Sequence, residues 1–286
     1  MIRRIYRILL ILGIVLVLAA IPVFSLSYNP STELEVDFLD VGQGDAILIQ
    51  SPYGQNLLID GGPDDAVIER LSEKLPYWDR VIDLMILTHP HDDHVAGLVD
   101  VVNRYVVKKI IYTGVIHDSP DYLAWLDVIE DKNIPILIID RPQTVVLGDD
   151  CQLEIIYPRK SLANQDVSNL NSSSIALRLV YGQTGFFLSG DLEAEIEEEL
   201  VEKEVVSEAQ VFKANHHGSD TSNTQKFIEA INPEIVVVQV GADNDFGHPS
   251  LRVLKRFERL GVEIYRNDID GTVEIYSDGS KVWRDD

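Results

Sequence analysis

The chain has 286 residues, 45% of them hydrophobic, enough for one large domain or two small ones with a substantial core. Its 47 acidic residues against 24 basic ones leave a formal charge of −23, a surface that repels nucleic acid at long range and argues against indiscriminate polynucleotide binding. It does not forbid a phosphate substrate at a metal site, where the ions carry the local positive charge. The single cysteine, Cys151, excludes an intramolecular disulfide framework and a cysteine-rich zinc site; it opens an apparent strand and reads as a small buried hydrophobe.

Arg3, Arg4 and Arg7 precede an apolar stretch from Ile8 to about Leu26, roughly the length needed to cross a bilayer. The basic flank is expected to stay in the cytoplasm, which sends the rest of the chain outside. The apolar run continues past Ala19-Ala20 through Ile21, Val23 and Phe24, which favours an uncleaved membrane anchor over a cleaved signal peptide. The expected organisation is therefore an anchor or signal peptide over residues 1–27, a linker over 28–32 and a folded domain over 33–286. That places the domain on the extracytoplasmic face of the membrane, or secreted if the segment is cleaved.

Along that domain, strands are expected at Glu33–Leu39, Ala46–Gln50 and Asn56–Ile59, with a helix from Asp65 to Leu75. A strand runs into Thr88, and after a histidine-rich turn a helix covers about Ala96–Tyr105. Lys109–Tyr112 reads as a strand, Tyr122–Lys132 as a helix and Ile136–Ile139 as a strand. Thr144–Leu147, Gln152–Tyr157, Ile175–Val180 and Gly185–Ser189 form a second group of strands. Glu193–Glu204 is a helix whose acidic face reads as solvated. Strand Val211–Ala214, a helix from about Asn223, strand Ile235–Val240 and helix Ser250–Leu260 lead to terminal strands. Strands from both halves deliver polar residues at their ends, with helices between. The pattern predicts two β-sheets packed together with helices outside and one site along a shared edge.

The chemistry concentrates at Thr88–His94, where three of the seven histidines fall within six residues beyond the apolar run Leu84–Leu87. His89, His91, Asp93 and His94 form H-x-H-x-D-H, a density of imidazole and carboxylate that suits Zn²⁺, Mn²⁺ or Fe and a spacing that suits two ions. His89 and His91 can turn to one ion, Asp93 and His94 to the other, while Pro90 stiffens the turn and keeps it out of a helix. Asp191 ends the apolar strand Phe187–Ser189 and is the natural bridge between two cations, since a carboxylate has two oxygens. His216-His217 also follows a strand, and one of the pair is expected on the second ion while the other contacts substrate. Asp60 and Asp40 are expected to orient the site by hydrogen bonding. Asp45, Ser174 and His248 are expected to face substrate, with His248 as a phosphate contact or proton donor. Asp93, His217 and His248 are the candidate catalytic residues. Lys213, Arg252, Lys255 and Arg256 offer local positive charge, and His117 reads as a surface histidine.

These residues resemble the metallo-β-lactamase superfamily: D-G-G at 60–62, T-H-P-H-D-D-H at 88–94, S-G-D at 189–191 and H-H-G-S at 216–219. F-L-D-V-G-Q-G-D at 38–45 and N-D-F-G-H-P at 244–249 are similar to signatures of the extracytoplasmic hydrolase domain of the ComEC group of DNA-internalisation competence proteins. The resemblance implies a four-layer αββα sandwich holding two divalent metal ions, Zn or Mn, on His89, His91, Asp93, His94, Asp191 and a histidine of the 216–217 pair. Many members of the wider superfamily carry a further histidine ligand where this chain reads Asn171-Ser172-Ser173-Ser174, a departure shared with the ComEC group. The expected function is a phosphodiesterase or nuclease acting on extracellular DNA, single-stranded DNA among the candidates, or on another phosphoester. The rivals are a metal-dependent acyl hydrolase of lactams, lactones or thioesters, and a membrane-tethered binding module without turnover.

Overall fold

Side chains along a strand point alternately to opposite faces, so a strand that is apolar at every position must be covered on both sides. Leu84–Ile86 and Ile235–Val238 are such strands, Asn56–Ile59 and Thr184–Leu188 are nearly so after a polar first residue, and all four are buried at every residue. A computed structural model of the chain describes residues 33–284. The expected N-terminal hydrophobic segment and the linker lie outside the described residues. Among the described residues no helix is long and apolar enough to cross a membrane.

The strands are β1 Leu34–Phe38, β2 Ile47–Gln50, β3 Asn56–Ile59, β4 Val81–Ile82, β5 Leu84–Ile86, β6 Val106–Val107, β7 Ile110–Tyr112, β8 Ile136–Ile138 and β9 Gln143–Val146. They continue as β10 Cys151–Tyr157, β11 Ala176–Tyr181, β12 Thr184–Leu188, β13 Val211–Lys213, β14 Ile235–Val238, β15 Glu263–Arg266, β16 Val273–Ser277 and β17 Val282–Arg284. The helices are α1 Ala66–Lys74, α2 Asp92–Arg104, α3 Pro120–Asp131, α4 Ala194–Glu202, α5 Gln225–Ile231, α6 Leu251–Leu260 and the single turn α7 Asn267–Asp270. One sheet has the order β17-β16-β1-β2-β3-β5-β7-β8, the other β15-β14-β13-β12-β11-β10-β9, and β4 pairs with β6 apart from both. The last two strands return to the first sheet, β16 pairing antiparallel with β1.

The alternation sorts the core into three clusters. Leu57 and Ile59 face inward with Phe186, Leu188 and Val237 of the opposite sheet, filling the space between the two sheets. Leu58, on the other face of β3, packs with Val67 and Leu71 of α1, Val95 and Leu98 of α2, and Trp125 of α3. Phe187, Val236 and Val238 face outward in the second sheet onto Leu200 of α4, Phe227 of α5 and Phe257 of α6. Helices therefore cover the outer face of each sheet, giving four layers in the order αββα. Cys151 lies in the inter-sheet core, and burial pushes its thiol up to about 12, which makes it inert at neutral pH.

Two sequence expectations shift. Helix α2 begins at Asp92, four residues before the expected start, so Asp93 and His94 sit in its first turn and His91 is its N-cap. Pro90 forbids helix only at His89; it places no restraint on the residues after it. The acidic face of α4 is not wholly solvated either: Glu197 is completely buried.

Parallel strands align their carboxyl ends, and ligands in such sheets bind beyond those ends. In the first sheet β3 and β5 are parallel, and they lead to Asp60 and to Thr88-His89. In the second, β12, β13 and β14 are parallel and lead to Ser189–Asp191, Asn215–His217 and Gln239.

Candidate metal centre

His89, His94 and His217 each have one ring nitrogen engaged by the surrounding protein and the other aimed inward. Asp60 accepts from the Thr88 backbone N–H at 2.8 Å, from the Thr88 hydroxyl at 2.7 Å and from His94 Nδ1 at 2.8 Å. His94 Nε2 is thereby directed to Asp191 Oδ2 at 3.4 Å and Asp93 Oδ2 at 3.8 Å. The Thr88 hydroxyl, having donated to Asp60, accepts from His89 Nδ1 at 3.1 Å, leaving His89 Nε2 facing His91 Nδ1 at 3.0 Å. His217 Nδ1 donates to the Gln239 carbonyl at 2.9 Å, and its Nε2 lies 3.2 Å from Asp93 Oδ2 and 3.4 Å from Asp191 Oδ2. Such outer partners select the tautomer a metal ligand needs.

One ligand atom from each of Asp93, His94, Asp191 and His217 lies within 4.8 Å of the others. Asp191 Oδ2 is also 4.0 Å from His89 Nε2, so it stands between that group and the His89–His91 pair. Burial alone would push His94 and His217 down, but the Asp191 carboxylate, with Asp93 and Asp60 or Asp45 around it, outweighs burial and raises both well above the ordinary imidazole range. Burial would push Asp191 up, but His217 and His94 hold it well below the usual carboxylate range.

Backbone conformation at this edge is unusual in the same places. Asp60, His216 and His217 all have positive φ, the last two at 48° and 52° in succession, a left-handed conformation that non-glycine residues adopt at a cost of order 1–3 kcal/mol each. Glu197 fixes that turn by accepting from Asn215 Nδ2, Asn223 N–H and Thr224 N–H, each at 2.7 Å. Gly190 also has positive φ, and a Cβ there would lie 2.7 Å from the Thr88 hydroxyl, so only glycine lets β12 and β5 end side by side.

Two of the expected substrate contacts are placed differently. Asp45 is buried behind the cluster, paired with Lys213 Nζ at 2.6 Å and 3.4 Å from His217 Nδ1. The Ser174 hydroxyl is likewise buried and accepts from the Asp191 backbone N–H at 3.2 Å, so it supports the ligand from behind. Lys213, expected to offer charge to substrate, is sealed in with Asp45 and donates to the Gly190 and Ala214 carbonyls, because a charge at the end of a fully covered strand must find its partners internally. Asp40 does not join the histidines; its side chain receives the Gly42 N–H and its carbonyl the Arg70 guanidinium.

The two adjacent histidines part company. His217 joins the cluster, whereas His216 Nδ1 lies 3.3 Å from Glu193 and its Nε2 3.8 Å from Asp191 Oδ2. His248 is half-buried with its ring centroid 5.5 Å from that of His216. His117, read as a surface residue, is partly buried with its ring 6.4 Å from His91. Glu193, Glu197, Asn171 and Gln239 were not found by sequence reasoning. The first two hide in a helix that looks solvated, and Asn171 is known only as the place where a histidine is missing.

The metallo-beta-lactamase superfamily profile matches residues 39–241. The chain belongs to that superfamily. Its curated relatives include ComE operon protein 3 of Bacillus subtilis, 27% identical over 85% of this chain, and competence protein ComA of Neisseria gonorrhoeae, 27% identical over 91%. Recombination protein 2 of Haemophilus influenzae is 25% identical over 92%. The chain spans 33%, 35% and 31% of the lengths of these three. Among solved structures, CmlA, a diiron beta-hydroxylase from Streptomyces venezuelae, superposes over 90% of this chain and 55% of its own with a TM-score of 0.55 at 14% identity. Human tRNase Z, short form, superposes over 81% of this chain and 95% of its own with a TM-score of 0.50 at 12% identity. These likenesses are of fold.

The superfamily fold implies a metal-dependent hydrolase, and the residues present fit divalent ions. His94 Nε2 and Asp191 Oδ1 are buried without a hydrogen-bond partner, an arrangement that is unfavourable unless a cation meets them. A mixed imidazole and carboxylate set with fixed tautomers is what first-row divalent metals accept.

Proposed function

We propose that the chain is a two-metal phosphodiesterase of the extracytoplasmic face, acting on DNA or another extracellular phosphoester. The observation that carries this reading is the convergence of Asp93, His94, Asp191 and His217 beside the facing pair His89 and His91. The competence and recombination proteins among its relatives support a polynucleotide substrate and a membrane-associated setting. In this reading His89 and His91 would hold one ion and Asp93, His94 and His217 the other, with Asp191 available to both. Bound ions, Zn or Mn, would supply Lewis-acid activation of water and charge stabilisation at the phosphate.

The chain's own groups then divide the remaining work. Asp93, on the first turn of α2 and within reach of both His94 and His217, orients the attacking water. His216 lies at the opening with Glu193 against its Nδ1, and is placed to pass a proton to the leaving oxygen. Burial and the neighbouring His216 and His217 hold His248 below the ordinary imidazole value, so it is uncharged at neutral pH and suits orienting the substrate better than donating a proton. Purified protein loaded with Mn²⁺ or Zn²⁺ tests the reading against bis-p-nitrophenyl phosphate, single-stranded DNA and a chromogenic lactam. Phosphodiester turnover that disappears in His91→Ala supports it; lactam turnover alone sinks it.

A further inference from the structure

The metal centre accounts for the ends of β5, β12, β13 and β14, but not for the segment that follows Gly241. Asn244 Oδ1 accepts the His248 N–H at 3.0 Å and Asn244 Nδ2 donates to the His248 and Gly241 carbonyls at 2.8 Å, closing residues 244–248 into a tight loop. At its tip Phe246 is 70% exposed and stacks on His248, ring centroids 6.0 Å apart and planes inclined by 17°. His248 in turn stands against His216 at the mouth of the metal centre. A large apolar ring exposed to solvent beside the histidine cluster offers a stacking face.

Helix α6 leaves this platform directly. Its N-cap Ser250 donates its N–H to the Gly218 carbonyl at 2.9 Å, which locks the helix start to the His216-His217 turn. Arg252, Lys255, Arg256 and Arg259 recur at i, i+3, i+4 and i+7, one stripe about 10 Å long, and with Leu251 they line an open hollow of about 510 Å³. Arg256 is partly used, donating to the Ser222 and Asn223 carbonyls, and Arg252 lies 3.5 Å from Asp220. Lys255 and Arg259 are exposed and have no ion-pair partner among the described residues. In a chain of charge −23 such a stripe is a local reversal of sign, and it begins where the metal centre opens.

We infer that Phe246, His248 and the basic stripe of α6 form a docking track for a single-stranded polynucleotide, an inference that rests on the phosphodiesterase reading. An unpaired base stacks on Phe246 beside the scissile phosphate, and Arg252, Lys255 and Arg259 hold phosphates leading away from the metals. Aromatic faces beside a cationic groove bind single strands with little sequence preference, because every base has a π-face and every linkage a charge. Duplex bases are paired and stacked among themselves and cannot reach the ring. An anionic bilayer matches the charge but would cover the mouth of the metal centre.

The test measures fluorescence anisotropy of labelled phosphorothioate dT20, the matching duplex, and phosphatidylglycerol vesicles, each with the metal-loaded full chain in detergent micelles or, for vesicles, after reconstitution. Lys255→Glu/Arg259→Glu is expected to weaken dT20 binding at least tenfold and, at about 0.7 for each of two lost phosphate contacts on a single strand, to lower the slope of log K against log salt by about 1.4. Phe246→Ala is expected to weaken it about fivefold or more with the slope unchanged. Equal affinity for duplex, dT20 binding indifferent to these substitutions, or a loss confined to vesicles would overturn the track. Bis-p-nitrophenyl phosphate, too small to need the track, reads the underlying chemistry in the same preparation. Its turnover alongside unaffected dT20 binding overturns the track alone, whereas lactam turnover in its place overturns the phosphodiesterase reading and the track with it.

Discussion

At the scale of single residues, the two neighbouring histidines 216 and 217 have different partners, His217 meeting Asp93 and Asp191 and His216 meeting Glu193. Both take left-handed backbone, which turns consecutive side chains to different sides of the loop. His217→Ala is expected to release one ion per chain and to lower turnover by about 100-fold or more, whereas His216→Ala should keep both ions and lose turnover through the leaving group. Metal content by mass spectrometry, beside kcat, separates the two. The conformation itself depends on Glu197. Glu197→Gln replaces an acceptor-only group with one that must point an N–H at other N–H donors. Buried mismatches of this kind cost about 1–3 kcal/mol. Thermal unfolding should show the loss, and metal affinity should drop roughly 10- to 100-fold, as for other outer partners of ligands.

At the scale of elements, the centre is made by strand ends that are held level. Lys213 closes β13 by bonding to Gly190 after β12 and to Asp45 in the loop between β1 and β2, so one ammonium ties the two sheets together behind the histidine cluster. Lys213→Met leaves Asp45 buried without its partner, and breaking a buried pair from one side is destabilising by about 3–5 kcal/mol. The double variant with Asp45→Asn should recover a substantial part of that loss. A double-mutant cycle in urea denaturation measures the coupling. Strictly additive losses would show that the pair does not act as a unit.

At the scale of the whole molecule, a buried carboxylate far from the histidine cluster in sequence makes stability depend on pH. Asp37 on β1 is fully covered, and burial together with Glu35 pushes it up to about 8 although Lys74 Nζ lies 2.8 Å away. Lys74 itself is drawn up because it serves Asp37, Glu274 and Glu35 at once, although its own burial opposes this. A carboxyl whose folded value exceeds its unfolded value binds more protons when folded, so stability is present at low pH and is lost as pH rises from about 4 to about 8. Wild-type protein should therefore melt lower at pH 9 than at pH 5.5, and Asp37→Asn should flatten that difference. A variant whose melting temperature falls with pH as steeply as wild type would exclude Asp37 as the source.

Much of this was legible without coordinates. The period-2 runs and the intervening amphipathic helices located nearly every element, because burial on one or both faces leaves a pattern within each segment. Thr88–His94, Asp191 and His216-His217 announced themselves by residue type at strand ends. What remained hidden has a common physical cause: it depends on which distant strand ends the two sheets bring level. Glu197 reads as one more glutamate on an acidic helix until the chain folds α4 beneath Asn215. Asp45, Ser174 and Lys213 read as polar groups near a site until the sheets close over them and turn them into its supports. Sequence alone determined the layers and most of the residues that meet at the shared edge, since these are properties of local periodicity and side-chain type. Only the tertiary structure decided which histidine of the pair faces the cluster, which carboxylates stand behind it and where the basic stripe of α6 begins, since those depend on contacts between residues far apart in the chain.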